Sequence, residues 1–152
     1  MPPDAAEDPQ NHVVTGRCYC GSTLLTSRTP SQLVPYCHCS DCRRLTGAPA
    51  AAFAAFSEDA VSIRPARPLV TPADAGVRRS FCSDSGSPLA AWFDYLPGQV
   101  YVPLGLLDKA SDFPAQMHSH VDAKLPWLEI ADDAKRGEGS SRAGLVAAFD
   151  KG

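Results

Sequence analysis

A mainly β domain, its small antiparallel sheets gathered around a metal, is the fold class this sequence predicts, and three observations predict it. Fourteen prolines in 152 residues cut the chain into many short elements. Short runs rich in β-branched and aromatic residues recur at regular spacing through the second half. Six cysteines are gathered as Cys18-x-Cys20, Cys37-x-Cys39-x-x-Cys42 and Cys82, a grouping that asks for a shared ion. The length allows one domain with a single core and modest tails.

The elements follow in order. Residues 1–11 are acidic and proline-rich and read as a disordered tail. Residues 12–27 carry β-branched residues on both sides of Cys18-Tyr19-Cys20-Gly21, which predicts two strands joined by a tight turn. A strand over 33–39 should run into one helical turn closed by Gly47. The run over 49–56 is ambiguous: its alanines favour helix, while its short length and bracketing Gly and Pro favour strand. Pro65, Pro68 and Pro72 break up a connection. Strands are expected at 77–81, 88–94, 99–104, 116–121 and 125–130, with Trp92, Phe93 and Trp127 in the core. The polar, Gly/Ser-rich end, 133–152, reads as a tail with a short helix near 143–149. The domain proper is therefore expected over 12–132.

Composition excludes several classes. Seventeen acidic against 14 basic residues give a net charge of -3, so no basic nucleic-acid footprint is expected. No apolar run approaches the roughly 18 residues of a membrane span, and MPPDAAEDPQN lacks the basic start and apolar stretch of a secretory signal. The expectation is a cytoplasmic protein with neither nucleic-acid nor membrane partners.

In that reducing setting clustered cysteines read as metal ligands rather than disulfides. Two cysteines one residue apart rarely bridge each other, but both can turn onto one metal when the backbone curls around it. Thiolate donors exclude hard cations, and the absence of a compact four-cysteine run disfavours an iron–sulfur cluster, leaving zinc. The alternative is six incidental cysteines, with a disulfide among them. His38, between two of the cysteines, should point away from a metal by strand alternation. His118 and His120 would share a strand face, with solvent as the simpler environment. Arg43 and Arg44 suit either a carboxylate clamp or a solvated basic turn, and Arg78 and Arg79 carry the same two readings.

Several strings together resemble the glutathione-dependent formaldehyde-activating enzyme family, which also contains a vertebrate centromere protein. They are GRCYCG at 16–21, YCHCSDCRRLTGAP at 36–49 and RSFCSDSGSPL at 79–89, followed by LGLLD, FPAQMHSH and KLPWLEI. The resemblance spans roughly residues 14–131 in the family's order. It implies a β-tent of small antiparallel sheets around zinc, with two metal sites. One is an open site of three thiolates, Cys37, Cys39 and Cys42, which would be catalytic. The other is structural and would use Cys18, Cys20, Cys82 and the residue at position 85. Where the family pattern has Cys-x-x-Cys-Gly, this chain reads Cys82-Ser83-Asp84-Ser85-Gly86. That leaves open a water, an oxygen of Asp84 or Ser85, or no metal, and implies a weakened site. The implied activity is a zinc-dependent carbon–sulfur lyase acting on a small-thiol adduct, with glutathione as the thiol and formaldehyde as the carbonyl. A non-catalytic zinc module that binds a protein partner is the alternative, and an open three-thiolate site favours the enzyme.

Overall fold

The computed structural model describes residues 13–71, 76–140 and 142–150; the expected 1–11 tail and Pro72 lie outside them. Strands β1 (Val14–Arg17) and β2 (Leu24–Ser27) form the expected hairpin around the first two cysteines. With β5 (Val61–Arg64) they make a three-stranded antiparallel sheet. A second sheet of eight strands contains β3 (Pro35–Cys37), β4 (Ala51–Ser57), β6 (Leu69–Val70), β7 (Val77–Phe81), β8 (Pro88–Phe93), β9 (Gln99–Pro103), β10 (Met117–Ser119) and β11 (Lys135–Arg136). Its spatial order is β11-β10-β3-β4-β9-β8-β7-β6. Helix α1 (Ser40–Thr46) follows β3, and α2 (Arg142–Asp150) follows β11.

The ambiguous alanine run is β4, a central strand buried on both faces. Period-two alternation sends Ala54 and Phe56 into one core, and Ala51, Phe53 and Ala55 into another. Double burial removes the polar half of the alternation, which is why the run reads equally well as helix. The first core sits between the two sheets and joins Val14, Leu25, Phe56, Val100 and Val102. The second lies on the opposite face, where Leu145 of α2 packs with Phe53, Ala91 and Tyr101. Gly16 lets the hairpin lie close to the chain after β9, because a Cβ there would meet the Leu106 carbonyl oxygen at 2.6 Å.

Three expectations are corrected. The strand at 116–121 shortens to β10 because His120 takes left-handed backbone, φ 55°. β10 also runs parallel to both β3 and β11, which the long connection from β9 permits. No strand forms at 125–130: Leu128 N–H closes a turn onto the Leu125 carbonyl at 3.0 Å, and the Lys124 ammonium caps the Leu128 carbonyl at 2.6 Å. That turn leaves Trp127 70% exposed rather than in the core. The connection read as broken by prolines is preceded by β5, which ends at Arg64, and carries β6 after Pro68. No helix among the described residues is long and apolar enough to cross a membrane.

Candidate metal centres

The six cysteines, none of them in a disulfide, come together as two groups of three. In each group the sulfurs lie within 4.8 Å of one another.

The first group is Cys37, Cys39 and Cys42. Cys37 ends β3, and Cys39 is the extended N-cap of α1, whose sulfur accepts the Cys42 N–H at 3.4 Å. A cap followed three residues later by the first helical turn brings the third sulfur back over the first two. The Cys37 and Cys39 sulfurs are 3.2 Å apart. Gly47, at φ 72°, stops the helix, its N–H bonded to the Arg43 carbonyl at 2.7 Å. The thiol of Cys42 donates to Cys37, and with the Cys39 backbone N–H this outweighs burial and pulls Cys37 down to about 6. Cys42 is pushed up because it supplies that hydrogen bond, and Cys39 is pushed up by burial. One sulfur ionises easily and its neighbours resist, the crowding that a cation relieves. An all-thiolate donor set at this spacing fits zinc.

This cluster opens onto a cavity of about 330 Å³ lined by Phe93, Tyr95, Tyr101, His120 and Leu145. Arg79 also lines it, and its buried Nε has no partner among the described residues. Arg78 instead lies over the Trp92 ring at 5.6 Å. Arg43 is a brace: its Nη1 donates to the carbonyls of His38 at 2.7 Å and Ala123 at 2.6 Å, clasping the cysteine segment. Arg44 is exposed.

His38 turns toward a separate cavity, as alternation expects, but it is buried. Its Nε2 lies 2.9 Å from Nδ1 of His118, whose Nε2 lies 2.8 Å from Asp132 Oδ2. The expected solvent face for His118 is thereby corrected: parallel pairing with β3 sets it beside Tyr36, and its ring stacks at 5.2 Å. The two imidazoles and the carboxylate thus form one buried hydrogen-bonded chain. Burial, and after it the neighbouring His118, lower the His38 pKa. Asp132 is held at about 2, chiefly by the His118 hydrogen bond and further by Arg136. A depressed carboxylate contributes stability above its unfolded value of 3.8, which is lost as pH falls through about 2. Asp132→Asn is therefore expected to lower stability at neutral pH and to flatten the acid-unfolding curve over that window. Superposable curves for the two proteins would contradict this.

The second group joins two hairpin turns that face each other. Cys18 and Cys20 sit in the β1–β2 turn, which closes with Gly21 N–H on the Cys18 carbonyl at 3.1 Å. Cys82 sits in the β7–β8 turn, which closes with Gly86 N–H on the Cys82 carbonyl at 2.7 Å. Gly21 at φ 79° and Gly86 at φ 78° allow both closures. The Cys20 sulfur is 3.5 Å from Cys18 and 3.7 Å from Cys82. Burial pushes Cys18 up, but the Thr23 N–H and its neighbours bring it down to about 7. Hydrogen bonds from the Ser22 and Ser85 hydroxyls hold Cys82 at about 5. Ser85, the position where a fourth thiolate is missing, also lies 3.2 Å from Ser87 Oγ. The sequence reading overlooked Ser22 and Arg67. Ser22 is two residues beyond Cys20, and Arg67 reaches the turn from 45 residues away.

Comparison with known proteins agrees with this picture. The family model described as glutathione-dependent formaldehyde-activating enzyme matches residues 13–123. A crystal structure of a Rhodobacter sphaeroides protein is similar in fold, with TM-score 0.50 at 20% identity, over 62% of this chain and 88% of that one. No curated protein matches in sequence.

Proposed function

From the membership of this chain in the glutathione-dependent formaldehyde-activating enzyme family, we propose that it is a cytoplasmic zinc-dependent carbon–sulfur lyase. Its substrate is the adduct of a small thiol, glutathione foremost, with formaldehyde or a related carbonyl. The observation that carries this reading is a three-sulfur cluster with one side turned to a cavity, with no fourth His, Cys, Asp or Glu joining it among the described residues. Structural zinc sites have four protein ligands, whereas catalytic ones keep a position free.

Cys37, Cys39 and Cys42 would hold the zinc. Zinc bound there supplies a soft Lewis-acidic position at which an incoming thiol gives up its proton. In the synthetic direction the thiolate sulfur adds to the carbonyl carbon and the oxygen takes up a proton, giving a hydroxymethyl thioether. The reverse breaks the same carbon–sulfur bond. The chain's own residues shape the event. Phe93, Tyr101 and Leu145 supply the apolar part of the cavity lining beside the polar groups of Arg79 and His120. Arg79 offers an unpaired cationic edge to a substrate carboxylate. The Arg43 clasp and the His38–His118–Asp132 chain fix the cysteine segment from behind.

Exchange spectroscopy on the glutathione–formaldehyde equilibrium tests the proposal, with the uncatalysed exchange as baseline because the two combine without a catalyst. Zinc-loaded protein is expected to raise the exchange rate well above that baseline. A rate equal to the baseline would make the partner-binding zinc module the better account.

A further inference from the structure

The second cluster has lost the thiolate expected at position 85, yet a different oxygen stands on its vacant side. Ser22 Oγ lies 3.0 Å from the Cys20 sulfur, 3.5 Å from Cys82 and 3.9 Å from Cys18. A tetrahedral zinc with three sulfurs at about 2.3 Å and an oxygen at about 2.0 Å has sulfur–sulfur edges of about 3.8 Å and oxygen–sulfur edges of about 3.5 Å. The sulfur–sulfur distances of 3.5 and 3.7 Å fall just short of the first value. The three distances from Ser22 bracket the second. Ser85 does not share this position, since its hydroxyl is bonded to Ser87 and serves Cys82 among the three sulfurs.

We propose that Ser22 is the fourth ligand of the second metal centre, making it a closed site of three thiolates and one hydroxyl braced by Arg67. Arg67 is what makes a hydroxyl adequate there. Its Nη2 donates to Ser22 Oγ at 2.8 Å, its Nε to Thr23 Oγ1 at 2.8 Å and its Nη1 to Ser83 Oγ at 3.0 Å. The same Nη2 pairs with Asp84 at 3.1 Å. The guanidinium thus ties the two cysteine turns together. A hydroxyl oxygen has two lone pairs: one accepts the Arg67 N–H and the other is left for the metal, with no proton displaced. Three thiolates on Zn²⁺ leave a net charge of about -1, and the adjacent guanidinium offsets it. Cys18 and Cys82 are 2% and 0% exposed, while Cys20 and Ser22 form the outer side of the cluster. There the Arg67 side chain, itself 10% exposed, lies against Ser22. Loss of a ligand on one turn is in this way compensated from the other. The proposal concerns the second cluster alone and stands or falls independently of any activity at the first.

Zinc release to a chelator, followed in the full-length protein, tests it against the alternatives. The closed centre should release its zinc as the slow phase and the open one as the fast phase. Ser22→Ala is expected to speed the slow phase about tenfold or more, the scale on which a metal site responds to losing a supporting group. Ser85→Ala, which removes only a hydrogen bond to Cys82, should speed that phase less than Ser22→Ala does, and Ser22→Cys should slow it. In cobalt-substituted protein Ser22→Cys should also strengthen the thiolate-to-cobalt absorption, which a merely hydrogen-bonded thiol would not do. Acceleration by Ser85→Ala with no effect of Ser22→Ala would assign the corner to Ser85. Insensitivity to both changes would assign it to water, and the absence of a slow phase would mean that the cluster holds no metal. Each of these three results overturns the proposal. Should Ser22→Ala fail to fold, the cobalt spectrum of Ser22→Cys decides alone.

Discussion

Cys42→Ala is expected to bring catalysis of thiol-adduct exchange down to the uncatalysed rate while leaving the fold intact. Cys42 contributes the third sulfur from the first turn of α1, and two thiolates do not hold zinc in a site that must also leave a position free. The fold should survive because the β1–β2 and β7–β8 turns are pinned by the other cluster, and both cores lie in the sheets. His38→Gln should behave differently. The ring is bonded to His118 in a separate cavity, so the change should cost little activity and appear mainly as lower thermal stability. Parallel measurement of exchange rate and far-ultraviolet dichroism separates these outcomes. Retained activity in Cys42→Ala, or equal losses in both variants, would remove the cluster from the mechanism.

Phe56→Ala should be the most damaging single change to stability, costing about 3–5 kcal/mol. Phe56 is fully buried on β4, where it faces Val14 and Leu25 of the small sheet and Val100 and Val102 of β9. It therefore holds the two sheets together, and the cavity left by its ring has walls fixed by backbone pairing on both sides. Against a total of about 5–15 kcal/mol for a domain this is a large share. Equilibrium denaturation in zinc-replete buffer measures it. A loss below about 1 kcal/mol would mean that the sheets close over the gap.

What was legible in the sequence follows from the range of the interactions involved. The first cluster is local: a strand end, an N-cap and one helical turn place Cys37, Cys39 and Cys42 together, so spacing alone reveals it. The hairpin strands β7, β8 and β9 are likewise legible, since alternation and short turns encode them locally. Contacts across the chain are not. His118 reads as a surface strand residue until parallel pairing with β3 buries it beside His38, 80 residues away. Ser22 is one of many serines until the second turn and Arg67 arrive around it. Local pattern also misjudged 125–130, where an apolar run with strand-like residues folds into turns around Pro126 and leaves Trp127 outside. The C-terminal segment read as polar, yet Leu145 packs onto the second core and lines the cavity of the open cluster. The short helix expected near 143–149 is present as α2, but with Leu145 its one buried side chain among those described, the sequence did not reveal that it docks on the core.

The central claim is that the Cys37/Cys39/Cys42 cluster holds zinc with a position free for an external thiol. Zinc X-ray absorption, recorded on protein of known zinc stoichiometry before and after addition of glutathione, tests it most directly. About two zinc ions per chain are expected throughout, with glutathione adding sulfur to the average coordination shell. In Cys42→Ala protein the addition should leave the spectrum unchanged. A wild-type spectrum that does not respond to glutathione, or zinc absent from that cluster, would contradict the account.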